Sequence, residues 1–229
     1  MAIFRLAPDK VKPAAISASV VFLACALFFF SPVRLPHKIT LTLASAFIAS
    51  LWLCPWQISL ALLFSALGDY FGSCHIFLAQ MGFFALGHIF YVWFFVHRWL
   101  TKVEPDRKLT AKVKGQALVY LLLVAAILFV AFTKIAPCAD AGVIRTGVCI
   151  YAVLISAMLF SALMQRSSLY ALGAVLFVFS DFILAWNKFV DPIQHSGLLI
   201  MTTYYLGQYL LFIRSTPYRV KPGLRTLRF

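Results

Sequence analysis

Eight apolar segments, each about the length of a membrane-spanning helix, dominate this chain of 229 residues. A helix that crosses the hydrocarbon core needs about 20 mostly apolar residues, because each residue adds about 1.5 Å along its axis. Charged residues, prolines or short polar turns separate the segments. The sequence therefore predicts eight transmembrane helices in one integral membrane domain that covers the whole chain, 1–229. The predicted spans are 14–31, 39–54, 57–73, 76–97, 115–134, 143–164, 168–187 and 195–214.

Composition excludes an ordinary soluble domain. Hydrophobic residues make up 63% of the chain and charged residues 12%, whereas a typical soluble domain has about 25% charged residues. The mean hydropathy is +0.93. The 20 basic and 7 acidic residues are clustered in a few segments and are too few to cover a folded core of this size. We therefore expect an all-α, multi-pass protein of the cell membrane.

The distribution of basic residues predicts the topology. With eight spans both termini lie on one side, and that side carries 15 of the 20 lysines and arginines. By the positive-inside rule, the N and C termini are then cytoplasmic. Basic residues between apolar segments are typical of membrane proteins that contact anionic headgroups. We therefore expect membrane lipids, and no nucleic acid, as partners; the sequence leaves the oligomeric state open.

A short tandem repeat connects the two parts of the chain. The segment Ala61–Asp69 aligns without gaps with Gly173–Asp181, and both end in a small residue followed by aspartate. The next predicted spans carry Gly87-His88 and Gly207-Gln208. This pattern is compatible with two parallel four-helix halves. Small residues recur wherever membrane helices pack, so chance agreement is the alternative.

Two of the seven acidic residues, Asp69 and Asp181, lie inside predicted spans. A carboxylate at membrane depth costs at least about 2.5 kcal/mol on insertion scales, so such a residue is usually functional. Both lie near the same predicted membrane boundary. We therefore predict that they form one catalytic site; the alternative is that each is a hydrogen-bonded packing residue or reaches the nearby interface.

Further polar side chains lie on the same spans as the two aspartates and on the spans that follow them. They predict a polar-lined cavity that binds a substrate between helices. Single polar residues in membrane helices also form interhelical hydrogen bonds, which is the alternative for each of them. The candidate substrate-binding residues are Ser65, His88, Tyr91, Ser180, Asn187, Tyr204, Tyr205 and Gln208.

Two other functions compete with a carboxylate-based enzyme. A metal-dependent membrane amide or ester lipid hydrolase would use Asp69 and Asp181 with His75 and His195. The chain has no HExxH motif and its five cysteines show no CxxC spacing, so we expect neither a metal nor another cofactor. A proton-coupled small-molecule or lipid transporter would also use acids within a membrane bundle.

Several polar positions together resemble a known family. The segments Leu63–Asp69 and Gly82–Tyr91 are similar to the double signature of the YhhN-like lysoplasmalogenase family of integral membrane proteins. Gly173–Asp181, Asn187 and Thr203–Gln208 resemble the closing pattern of that family in the same order. The resemblance covers roughly residues 60 to 213.

The resemblance implies a lysophospholipid substrate. In this family the reaction is hydrolysis of the vinyl ether of a lysoplasmalogen, which gives a fatty aldehyde and glycerophosphoethanolamine or glycerophosphocholine. The family's suspected catalytic residues correspond to Asp69 and Asp181. The chain departs from the family where the second span begins, because Lys38 is followed by Ile39 rather than by proline.

Two carboxyl groups suit this chemistry. A vinyl ether opens when its β-carbon is protonated, and water then adds to the resulting oxocarbenium ion. Burial and a second nearby carboxylate both raise the pKa of a carboxyl group, so that one of a pair can act as the acid near neutral pH. The other can stabilise the cation and accept a proton from water, as in glycosidases. The sequence leaves open which aspartate is the acid. It also leaves open whether Lys38 and Lys188 bind the headgroup phosphate or only set the topology.

Overall fold

The computed structural model describes residues 3–4, 6–102 and 111–216, and within these ranges the chain is helical with no β-strand. Eight α-helices follow one another within these ranges. Their bounds are α1 Pro8–Phe30, α2 Thr40–Leu53, α3 Trp56–Ser73, α4 Phe77–Lys102, α5 Ala111–Val130, α6 Val143–Leu163, α7 Ser168–Phe189 and α8 Ser196–Ser215.

The eight predicted helices are confirmed, and most of their bounds agree within two residues. The first helix begins earlier than predicted, at Pro8, because proline is well suited to the first turn of a helix. The fourth helix continues to Lys102, past the predicted end at residue 97. Arg98 and Lys102 interrupt the apolar run there, and hydropathy therefore does not detect the last turn.

Six of the eight helices are long and apolar enough to cross a membrane: α1 and α4 to α8. The second has 14 residues and reaches only about 21 Å, which is shorter than a hydrocarbon core of about 30 Å. The third carries the buried polar residues Gln57, Ser59, Ser65 and Asp69, which lower its hydropathy. The structure is thus that of a multi-pass membrane protein.

The eight-span topology with cytoplasmic termini stays a prediction. Several of the basic residues behind it lie outside the described part of the chain. They are Arg5, Arg107 and Lys108, together with Arg219, Lys221, Arg225 and Arg228.

Two helix hairpins, α3–α4 and α7–α8, are closely packed through glycine. A Cβ atom at Gly87 would lie 3.3 Å from the carbonyl oxygen of Ala61, and one at Gly207 would lie 2.9 Å from that of Gly173. Ala61 aligns with Gly173 in the gapless repeat, and Gly87 and Gly207 lie on the helices that follow. Each hairpin therefore has a glycine of its second helix against this position of its first helix.

The end of α5 is irregular. A π-helical turn, Ala131–Ile135, follows it and leads into the 3-10 turn Ala136–Cys138. Pro137 has no backbone N–H, so a regular α-helical ladder cannot continue through it. The guanidinium of Arg145 donates to the carbonyl oxygens of Pro137 and Ala139, at 3.1 and 3.0 Å, and so links the end of α5 to α6.

We call the end of the bundle at which α3, α5 and α7 end the cavity end.

Candidate active site

A cavity lies at the cavity end between α4, α5, α6 and α7. It has about 800 Å³ of empty space when its open side is included. The helices α4 and α7 are not closely packed against each other, and the cavity lies between them. Its walls are almost wholly apolar. The polar residues of its lining are Gln80, Tyr151 and Asp181.

Asp181 is the carboxyl group of the cavity wall. Its side chain retains 16% exposure, and its Oδ2 atom accepts a hydrogen bond from the hydroxyl of Tyr151. The Nε2 atom of His88 lies 3.0 Å from that hydroxyl oxygen and 3.7 Å from Oδ2. With its proton on Nε2, His88 donates to Tyr151, which in turn donates to Asp181. The three groups come from α4, α6 and α7, so tertiary packing orients the carboxyl group.

His88 lies behind this carboxyl group and does not line the cavity. Its side chain is fully buried, with the rings of Phe177 and Tyr151 at centroid distances of 4.9 and 5.3 Å. Its Nδ1 atom has no hydrogen-bond partner in the described part of the chain. The sequence predicted that His88 binds substrate. In the structure its ring contacts Tyr151 and Asp181, and a role in substrate binding stays a prediction.

Asp69 is also buried, with 3% of its surface exposed, but it does not line the cavity. Its Oδ2 atom accepts a hydrogen bond of 3.3 Å from Tyr204 on α8. The ring of Phe84, which lines the cavity, packs edge-on against Tyr204 at a centroid distance of 5.8 Å and lies against Gly68. Phe84 therefore covers the Asp69 and Tyr204 pair.

The two carboxyl groups are not hydrogen-bonded to each other and have different partners. Asp181 is bonded to Tyr151 and Asp69 to Tyr204. One carboxyl group lies on the cavity wall and the other is enclosed by protein.

A buried chain of hydrogen bonds joins α3, α4 and α8. The hydroxyl of Tyr91 donates to Oε1 of Gln208 at 2.6 Å. The amide nitrogen of Gln208 donates to Ser65 at 3.0 Å, and Ser65 donates to the carbonyl oxygen of Ala61 at 2.9 Å. Tyr91, Gln208 and Ser65 join helices and do not line the cavity, and their predicted role in substrate binding stays a prediction.

The last three predicted binding residues also contact backbone groups. Ser180 donates to a backbone carbonyl of α8 at 3.0 Å. The side-chain oxygen of Asn187 accepts from the backbone N–H of Ile193 at 2.8 Å. Tyr205 donates to the carbonyl oxygen of Ile39 at 3.0 Å. None of the three lines the cavity around Asp181.

The metal-dependent alternative would use four residues, Asp69, Asp181, His75 and His195. Among the residues that the structure describes, no group of three or more His, Cys, Asp or Glu side chains could hold a metal ion. His75 lies in the turn before α4 and His195 directly before α8, both with positive φ, at 60° and 56°. They mark helix starts rather than a common site with Asp69 and Asp181.

Tyr151 is the site residue that sequence reasoning missed. It is the single tyrosine of α6, a span without an acidic residue, and a lone tyrosine in an apolar segment was the available signal. Gln80 shares one helix face with Phe84 and His88, because they are spaced by four residues. Its side chain lies against Gly72 of α3, and it contributes to the cavity wall.

Comparison with known proteins identifies the family. The model of the YhhN family matches residues 34–215. Lysoplasmalogenase TMEM86B of Homo sapiens is 34% identical over 155 residues, which is 66% of this chain and 59% of the human protein. The protein of that name from Mus musculus is 30% identical over 220 residues, 89% of this chain and 87% of the mouse protein. The Sus scrofa protein is 32% identical over 71% of this chain and 65% of its own length.

The chain thus spans less than two thirds of the human and pig relatives. No solved structure matches it. The chain belongs to the YhhN family.

Proposed function

We propose that this protein hydrolyses the vinyl ether bond of lysoplasmalogens, giving a fatty aldehyde and glycerophosphoethanolamine or glycerophosphocholine. Relatives named lysoplasmalogenase support the substrate class. The observation that carries the proposal is the Asp181 carboxyl group, held on the wall of an otherwise apolar cavity within a membrane bundle. A single-chain lipid brings an apolar chain into such a cavity, and the proton donor then meets the bond to be cleaved.

The first step is proton transfer to the β-carbon of the vinyl ether. Tyr151 engages Oδ2 of Asp181, which leaves Oδ1 to carry the proton that faces the substrate. Asp181 gives this proton to the β-carbon, the double-bond electrons form the new C–H bond, and the α-carbon becomes part of an oxocarbenium ion. His88 and Tyr151 hold the carboxyl group in the orientation that this transfer requires.

Asp69 supplies the second carboxyl group of the pair. Two carboxyl groups near each other in low dielectric do not ionise together and so share one proton. In the reactive form Asp181 carries the proton, and Asp69 carries the negative charge with a hydrogen bond from Tyr204. A fixed negative charge close to a developing cation lowers the energy of the transition state.

Water completes the reaction. Its oxygen adds to the oxocarbenium carbon, and one of its protons passes to the Asp181 carboxylate, which restores the acid. The product is a hemiacetal. Its C–O bond to glycerol then breaks, the hemiacetal hydroxyl loses its proton and the glycerol oxygen gains one. Fatty aldehyde and glycerophospho-alcohol leave, and the enzyme returns to its starting protonation state.

The experiment is a direct assay of aldehyde release. The purified full-length protein in detergent micelles is incubated with lysolipids that carry a vinyl ether, an ester or a saturated ether in the same position. We expect aldehyde from the vinyl ether lipid alone. A transporter would release none, since micelles provide no compartments. Absence of aldehyde from the vinyl ether lipid would contradict the proposal.

We also propose eight spans in the cell membrane, with both termini cytoplasmic. The distribution of lysine and arginine supports this topology. Reporter domains that are active on one side of the membrane, fused in turn to each terminus, test it. Equal activity of a cytoplasmic reporter at both termini is expected, and opposite signals would contradict an even number of spans.

A further inference from the structure

Lys188 lies at the rim of the cavity. It belongs to the last turn of α7 and directly precedes Phe189. Its Nζ atom lies 4.3 Å from the ring centre of Phe77, the first residue of α4, and 5.9 Å from that of Phe189. Both phenylalanines line the cavity. The lysine therefore places a positive charge where the apolar walls end.

Lys188 and Asp181 lie on the same face of α7. They are seven residues apart, which is close to two helical turns. Between them, Leu184 and Ala185 line the cavity at the third and fourth positions after Asp181. At about 1.5 Å per residue, the lysine lies about 10.5 Å from Asp181 along the helix axis. The cavity side of α7 thus presents a carboxyl group, an apolar wall and then a cation.

In the described part of the chain, the ammonium group of Lys188 lies over the rings of Phe77 and Phe189 and has no acidic partner and no hydrogen-bond acceptor. Two other basic residues of the cavity end differ in this respect. Lys38 donates to the carbonyl oxygens of Ser31 and Val33, and Arg145 donates to backbone carbonyls after α5. Lys188 is therefore able to receive an anion at the mouth of the cavity.

We propose that Lys188 binds the headgroup phosphate of the lysolipid whose vinyl ether lies at Asp181; this inference rests on the proposed function. Seven bonds separate the β-carbon of the vinyl ether from the phosphorus atom, about 9 Å when extended. This length agrees with the axial separation of Asp181 and Lys188. The site therefore selects phosphate-bearing lysolipids over the uncharged 1-alkenylglycerol, which carries the same vinyl ether.

The test compares a charged and an uncharged substrate. Aldehyde release from 1-alkenyl-lysophosphatidylcholine and from 1-alkenylglycerol is measured for the wild-type protein and for Lys188→Met and Lys188→Arg. We expect Lys188→Met to raise KM for the phospholipid about 10-fold, the loss of one charge-assisted contact, with kcat unchanged. KM for the uncharged lipid is expected to stay the same. Lys188→Arg keeps the preference for phosphate.

A matched control is Lys134→Met. Lys134 is an exposed lysine of the π-helical turn at the same end of the bundle and does not line the cavity. Its substitution removes the same charge from the same region, and both KM values are expected to remain at the wild-type level. An equal KM increase for the two lipids in Lys188→Met, or no increase for either, would overturn the proposal.

A binding measurement separates this proposal from the proposed function. The saturated ether lysophosphatidylcholine has no bond to cleave, so its affinity, measured by titration in micelles, does not depend on catalysis. If the wild-type protein releases no aldehyde, the proposed function fails, and binding still decides the role of Lys188. About 10-fold weaker binding to Lys188→Met, with unchanged binding of the alkylglycerol, supports the phosphate site; equal binding to both proteins overturns it.

Discussion

Removal of the Tyr151 hydroxyl tests how the cavity orients its carboxyl group. Tyr151→Phe deletes the hydrogen bond to Oδ2 of Asp181 and the contact with His88. The ring that lines the cavity remains. Asp181 then loses the donor that holds one oxygen away from the substrate, and the carboxyl group is free to rotate. We therefore expect slower proton transfer with little change in substrate binding.

The magnitude follows from the type of bond. A hydrogen bond to a charged group contributes about 1.5–3 kcal/mol, and each 1.36 kcal/mol of barrier corresponds to about a factor of ten in rate. If the whole contribution is expressed in the transition state, kcat falls about 10- to 100-fold. KM is expected to change by less than about threefold, because the volume and the polarity of the wall hardly change.

The assay is aldehyde release from 1-alkenyl-lysophosphatidylcholine in micelles, with thermal unfolding measured on the same samples. Tyr209→Phe is the matched control. Tyr209 packs against Phe22 at a centroid distance of 5.4 Å, away from the cavity lining, and its substitution should leave kcat unchanged. A Tyr151→Phe protein that keeps more than half of the wild-type kcat would refute the role of the hydroxyl. So would a variant that loses activity only in proportion to its loss of folded protein.

Two further predictions concern metal dependence and helix packing. EDTA is expected to leave aldehyde release unchanged, because the proposed chemistry uses two carboxyl groups; loss of activity that zinc restores would favour a metal-dependent enzyme. Gly207→Ala is expected to destabilise the protein by about 1–3 kcal/mol, since the added methyl group would lie 2.9 Å from a backbone oxygen of α7. Gly82→Ala, at a position where a Cβ meets nothing within 4 Å, is its control. A melting temperature that falls equally in both variants would contradict the tight crossing of α7 and α8.

The helices were predictable because lipid imposes a simple requirement. Backbone polar groups must be satisfied within each span, so an apolar run of about 20 residues forms a helix regardless of its neighbours. The end of α5 departs from this rule, because the π-helical turn before Pro137 depends on local backbone geometry rather than on hydropathy. The shortness of α2 was visible in the sequence, because its predicted bounds, 39–54, agree with the structure within one residue.

The candidate site was predictable only in part. The energetic cost of a buried charge singled out Asp69 and Asp181, and in the structure each accepts a hydrogen bond from a tyrosine. Which of them reaches the cavity depends on how α3 and α7 are rotated within the bundle, and spacing within one helix does not give that rotation. For the same reason the sequence did not predict the contact of Tyr151 with Asp181 or the hydrogen bonds of Gln208 to Ser65 and Tyr91.

The most direct measurement is the turnover of Asp181→Asn and Asp69→Asn with a lysoplasmalogen, as aldehyde released per mole of folded protein. Asparagine keeps the shape of the side chain and an oxygen that accepts the tyrosine hydrogen bond, but it has no acidic proton. Each variant is expected to fold like the wild-type protein and to lose at least about 100-fold in kcat. Near-normal turnover by either variant would contradict catalysis by the carboxyl pair.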